Sequence, residues 1–260
     1  MSHWSKSIFK NGFRILWDYF TWMLPYSGKS RHKYPIEKRY NKLRKLICHI
    51  NDGFDVKLHV EGKENLLKGP FCLFPNHLSS YDPLVLISIL DEPTSFVAKK
   101  EVENQPFIRK CLHVIDGVTI DRDNLKQSLK VMLHVENDLK EGSKNWIIFP
   151  EGTRNKDPMA NIKEFHHGSF RPAMKAGVPI IPVAIYGTQR VLKKKPQYRD
   201  YHVFIKFLPP IKPEQYQNMT TKEIAMLVHD MIQKNISFDL VLQDHNYMKK
   251  DKEYRFNKVN

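Results

Sequence analysis

Cysteine is scarce in this chain: three in 260 residues, Cys48, Cys72 and Cys111, widely separated and in no metal-ligand spacing. Such usage fits a reducing compartment and predicts neither disulfides nor a structural zinc site. Long apolar runs are missing too. No stretch reaches the roughly 18 to 20 uninterrupted apolar residues that span a bilayer. There is no internal repeat and no low-complexity linker, and at this length one large domain, with at most an appendage, is the default. Acidic residues are the minority: 28 Asp and Glu face 42 Lys and Arg, a formal charge of +14. That surplus suits phosphate, anionic headgroups or an acidic protein, and does not name the partner.

What is present begins with an unusual N-terminus. Three of the four tryptophans, Trp4, Trp17 and Trp22, lie in the segment WSKSIFKNGFRILWDYFTWML. Arg14 and Asp18 interrupt its apolar run, so it is no cleavable signal peptide. Lys6, Lys10, Arg14 and Asp18 recur every four residues and form one charged stripe. Ile8, Phe9, Phe13, Ile15, Leu16, Tyr19, Phe20 and Met23 cover the rest of the helix. A wide apolar face with flanking Trp predicts a helix lying in a headgroup region; packing on its own domain is the alternative. After a Pro and Gly break, PYSGKSRHKYP, a second helical pattern runs from about Ile36 to Ile50, completing a helical hairpin over residues 1–51.

From residue 52 to 215 the texture becomes short apolar strands alternating with helices. VKLHVEG, FCLFP, SFVAK, GVTID, WIIFP, VPIIPVAIYG and HVFIKFLP read as strands. PLVLISIL reads as a helix opened by Pro83, and Gly142 and Gly177 read as the stops of two further helices. The pattern predicts an α/β fold with a mixed, largely parallel sheet flanked by helices. Residues 216–260 supply a last helix from about Thr221, with Thr220 or Thr221 as its cap and Glu223 in its first turn, and a polar, frayed tail over the last dozen residues.

In open α/β sheets ligands gather beyond the carboxyl ends of the strands, and three polar clusters fall there. In NHLSSYD, His77 is a candidate general base, since imidazole titrates near neutrality. Asp82 is a candidate to fix its tautomer. Ser79 and Ser80 do not occupy a G-x-S-x-G elbow, so no serine nucleophile is evident; a substrate that brings its own hydroxyl would explain the pair. The plain alternative is that Asp82 and Pro83 open a helix and His77 is incidental. In FPEGTRN, Gly152 admits close backbone approach, Arg154 offers a fork for phosphate oxygens and Thr153 a further donor; an internal Glu151–Arg154 ion pair is the alternative. Arg122 in DRDN, and Lys99 and Lys100 in FVAKKE, add cations at strand ends, with a solvated pair to Asp121 or Asp123 as the alternative for Arg122.

These blocks together resemble the glycerolipid acyltransferases. NHLSSYD is similar to their N-H-x-S-x-x-D block through Asn76, His77, Ser79 and Asp82. GVTIDR is similar to their second block through Gly117 and Arg122, FPEGTRN to their third, including Pro150, and VPIIPVAI to their fourth, with Pro179 and Pro182. The looser likeness runs from about residue 55 to 210, and the branch most resembled is the 1-acyl-sn-glycerol-3-phosphate acyltransferases. One departure is His166, where many relatives carry a lysine before the glycine. The resemblance implies an acyltransferase that uses His77 and Asp82 to acylate lysophosphatidic acid from acyl-CoA or acyl-carrier protein. It implies Arg122, Glu151, Gly152, Thr153, Arg154 and Lys100 at the glycerol phosphate. It also implies a membrane phospholipid surface as partner, on the cytosolic side, with no metal, no prosthetic group and no nucleic acid. Acylation of glycerol 3-phosphate or another lysophospholipid is the nearest rival. A basic nucleic-acid-binding protein is the rival from another class; a binding-only relative is a third.

Overall fold

The computed structural model describes residues 3–155, 162–192, 200–236, 240, 244, 246 and 247, with side chains from Asn11 onward. The chain starts with α1 (His3–Asp18), which continues through a π-helical turn (Tyr19–Met23) into α2 (Leu24–Ser27). A short 3₁₀ segment (Lys29–Lys33) then leads to α3 (Ile36–Gly53). The first helical arm runs two residues past Pro25, to Ser27, and α1 packs against α3. Next come β1 (Val56–Glu61), β2 (Cys72–Pro75), α4 (Asp82–Ile89), β3 (Thr94–Lys99) and α5 (Pro106–Val114). They are followed by β4 (Val118–Ile120), α6 (Leu125–Glu141), β5 (Asn145–Ile147), α7 (Arg171–Ala176) and β6 (Ile180–Tyr186). The described elements end with β7 (Tyr201–Phe207), α8 (Pro213–Tyr216) and α9 (Thr221–Asn235). The last dozen residues, expected to be a frayed tail, lie outside the described residues.

The strands form one seven-stranded sheet in the order β1-β7-β6-β2-β5-β3-β4. Every pair is parallel except β6 with β7. Period-two alternation splits the sheet residues between two cores. Leu73, Ile147, Ile181, Val183 and Ile205 join α3, α4 and α5, whereas Cys72, Phe74, Trp146, Ile148 and Ile180 join α6, α7 and α9. Central β6 is buried along its whole length, as a strand covered on both faces requires. All eight residues of α4 are buried as well, which explains why its sequence is apolar all round.

The helix ends follow local chemistry. Gly142 and Gly177 take left-handed conformations as helix stops, and Thr220 with Glu223 forms a reciprocal capping box on α9. The N-terminal helix departs from expectation in two places. Asp18 leaves the charged stripe and turns inward to His49 Nδ1 at 2.8 Å, and Trp22 is buried in the core with Met23. Its outward face is instead Phe13, Leu16, Trp17 and Phe20, exposed by 83%, 53%, 60% and 62%. Among the described residues, no helix is long and apolar enough to cross a membrane.

Candidate active site

Parallel pairing puts the carboxyl ends of β2, β5, β3 and β4 on one edge of the sheet, where neighbouring strands lie about 4.8 Å apart. The segments that leave these ends hold the predicted residues. Asn76, fully buried just past β2, pairs its side-chain amide with β6: Nδ2 donates to Ile185 O at 3.0 Å and Oδ1 accepts from Ile185 N at 2.7 Å. A side chain here continues the ladder after the backbone has turned away, which fixes where the next residue emerges.

That residue is His77. Its N–H donates to Glu151 Oε1 at 2.6 Å, and its carbonyl accepts from Asn155 N at 2.7 Å. Its ring packs on Phe149 with centroids 4.2 Å apart. Nδ1 lies 2.8 Å from Asp82 Oδ2. The same carboxylate oxygen accepts from Leu78 N at 2.7 Å and Ser79 N at 2.9 Å. Three donors on one oxygen suit a carboxylate, and Nδ1–H as the donor leaves Nε2 as the ring's accepting nitrogen. The ring is 18% exposed and Asp82 is sealed off completely.

The carboxylate does two things at once. Asp82 does start α4, ahead of Pro83, but it does not cap that helix; it reaches back across the loop to the imidazole. Neither serine joins the pair. Ser79 Oγ accepts from Tyr81 N and Ser80 Oγ accepts from Arg154 Nη1. The three thiols are free, and burial pushes those of Cys72 and Cys111 well above their ordinary value, the wrong direction for a nucleophile.

Glu151 is buried and its two oxygens hold two backbones, Oε1 that of His77 and Oε2 that of Lys163 at 3.2 Å. It braces the two loops, and among the described residues it forms no ion pair with Arg154. Burial raises its carboxyl above the usual range, partly offset by the two amides. Gly152 has φ +67°, and a Cβ added there would lie 2.7 Å from both terminal nitrogens of Arg122. The guanidinium of Arg122 therefore rests on the backbone of the turn. Thr153 and Arg154 follow, both exposed. The alternative for Arg122 is not seen among the described residues: Asp121 pairs with Lys100 at 2.9 Å instead. Lys100, expected among the phosphate groups, has its charge engaged there.

The supporting residues act through packing and backbone. A Cβ on Gly117 would lie 2.4 Å from Leu112 Cδ1 and 3.0 Å from Phe96 O, so a side chain just before β4 would require the buried Leu112 to shift. Pro150 O accepts from His166 N at 2.9 Å and Pro179 O from Cys72 N at 3.0 Å. His166 itself is exposed. Sequence reasoning missed Lys163. It lies nine positions beyond Arg154 in a stretch without periodicity, and its Nζ donates to Thr153 Oγ1 at 3.0 Å and Arg154 O at 3.1 Å.

A family model described as Acyltransferase matches residues 57–186. A probable 1-acyl-sn-glycerol-3-phosphate acyltransferase of Mycoplasma pneumoniae is 30% identical over 205 residues, covering 74% of this chain and 76% of the relative. The 1-acyl-sn-glycerol-3-phosphate acyltransferase of Escherichia coli is 30% identical over 162 residues, 62% of this chain and 65% of its own. The crystal structure of the 1-acyl-sn-glycerophosphate acyltransferase of Thermotoga maritima shares the fold, with a TM-score of 0.69 at 22% identity over 90% of this chain and 95% of that one. With the four blocks in place and the matched fold around them, the chain belongs to the acyltransferase family, in the branch of the 1-acyl-sn-glycerol-3-phosphate acyltransferases.

Proposed function

We propose that the protein transfers a fatty acyl group from acyl-CoA or acyl-carrier protein to the sn-2 hydroxyl of lysophosphatidic acid, giving phosphatidic acid. The observation that carries this reading is the 2.8 Å contact of His77 Nδ1 with buried Asp82, in a site whose serines are engaged elsewhere. Nε2 of His77 takes the proton of the acceptor hydroxyl, and Asp82 holds the tautomer and stabilises the imidazolium that forms. The oxygen attacks the thioester carbonyl, and the tetrahedral intermediate collapses with loss of the thiolate, which takes up a proton as free thiol. So written, the reaction uses no metal and no prosthetic group. Arg122, Arg154 and Thr153 receive the phosphate of the acceptor. The outward Phe13, Leu16, Trp17 and Phe20 rest on the bilayer that supplies the lysolipid, with the net positive charge favouring its anionic headgroups. The site then faces the cytosol, where the thioester donors are found.

The test follows free thiol from acyl-CoA and from acyl-carrier protein, with lysophosphatidate, glycerol 3-phosphate and a lysophospholipid without a free phosphate offered in turn. Lysophosphatidate is expected to be the preferred acceptor. His77→Ala is expected to lower the rate by at least about 10²-fold with the circular dichroism spectrum unchanged. A folded variant at near wild-type rate overturns the assignment of the base.

A further inference from the structure

Three cations converge on one turn of three residues. The Arg122 guanidinium lies against Gly152. Arg154 belongs to the turn itself and bonds Ser80 Oγ at 3.1 Å. The ammonium of Lys163 lies 3.0 Å from Thr153 Oγ1 and 3.1 Å from Arg154 O. Consecutive Cα atoms are 3.8 Å apart, so the stretch from Gly152 to Arg154 spans at most about 7 Å. No described carboxylate lies within ion-pair distance of any of the three, whereas nearby Lys100 is paired with Asp121. Cations gathered this closely repel one another; among the described residues only the longer-range fields of Glu101 on Arg122 and of Glu151 on Lys163 offset this, and an anion shared by all three would relieve it further.

We propose that Lys163 is a further positioning residue for the acceptor, supplying a third cation to its phosphate beside Arg122 and Arg154. This rests on the reading of the acceptor as a phosphate-bearing lysolipid. Glu151 makes the placement specific. One of its oxygens holds the backbone of His77 and the other the backbone of Lys163. A single buried carboxylate thus fixes the spacing between the base and this cation, and so between the acceptor's reacting hydroxyl and its phosphate. The Lys163 ammonium donates to Thr153 Oγ1 and Arg154 O, and its third hydrogen is left for a phosphate oxygen.

The experiment measures binding of 1-hexanoylglycerol 3-phosphate, below its micelle concentration, by calorimetry to the wild type, Lys163→Ala, Lys163→Gln and Lys163→Arg, with 1-hexanoylglycerol as the ligand lacking phosphate. Loss of a charge-assisted contact is expected to raise Kd for the phosphate ligand about tenfold or more in the Ala and Gln variants. Lys163→Arg is expected to stay within about threefold, and binding of the neutral ligand to be equal in all four. Steady-state kinetics are expected to show the same rise in KM for lysophosphatidate, without one for the acyl donor. Unchanged phosphate binding in Lys163→Ala, no phosphate binding by the wild type, or full retention by Lys163→Gln overturns the proposal; the last result assigns Lys163 to bracing the turn. Acyl transfer by the wild type is scored separately. Failure there, with Lys163-dependent phosphate binding intact, removes the proposed reaction and leaves the cation assignment standing.

Discussion

At position 152 two requirements meet on one atom that is not there. The left-handed backbone disfavours any side chain by roughly 1–2 kcal/mol, and the Arg122 guanidinium fills the space a Cβ would take. The guanidinium ends a flexible side chain, so it moves aside before the fold fails. Gly152→Ala is therefore expected to lower Tm by only about 2–8 °C while raising KM for lysophosphatidate several-fold, read by calorimetry and steady-state kinetics on one preparation. A large stability loss with unchanged KM would sink this account. Residues of this kind were legible in sequence where chemistry restricts the residue type: imidazole and carboxylate at His77 and Asp82, glycine at 152, arginine at 154. Glu151 stood out in FPEGTRN, but nothing in the sequence reveals that two distant backbone amides claim its oxygens. Lys163 carried no signal, since a lysine in an aperiodic loop is the ordinary surface residue of a basic chain.

The element that most separates pattern from packing is α1 with its π-helical extension. Periodicity identified the helix and its apolar excess, but the inward side was set by a polar contact, Asp18 with His49, which periodicity cannot register. The outward side then follows as Phe13, Leu16, Trp17 and Phe20. The triple substitution of Phe13, Trp17 and Phe20 to Ser is expected to reduce co-sedimentation with anionic liposomes several-fold while leaving Tm nearly unchanged, because these side chains touch little of the core. Full retention in the pellet would remove the membrane role of this face. Elsewhere, ends were easier to read than directions. Gly142, Gly177 and the Thr220–Glu223 box marked helix limits closely, whereas the antiparallel run of β7 beside β6 was hidden, since alternation looks the same read either way.

Across the whole molecule, a pair of histidines ties strands from opposite ends of the α/β unit. His59 Nε2 lies 2.8 Å from His202 Nδ1, His59 stacks on Phe204, and Tyr247 stacks on His202. Burial holds both imidazoles below their ordinary value of 6.5, and each positive ring would repel the other; Asp200 and Asp244 oppose this weakly at His202, and Arg190 reinforces it. The folded chain thus binds fewer protons here than the unfolded one, so stability is present above about pH 6.5 and is lost as pH falls through that value. Tm is expected to decline from pH 7 to pH 5, and His59→Phe, which keeps the stack and deletes one titrating ring, is expected to flatten that slope; an identical slope in the variant refutes the assignment. The same strands carry a consequence for biogenesis. In the sheet β1 is bonded to β7 alone, Val56 facing Tyr201, so during translation this edge waits unpaired until the last of the described strands has left the ribosome. The amphipathic hairpin is by then already outside, free to meet a lipid surface before the domain behind it has closed.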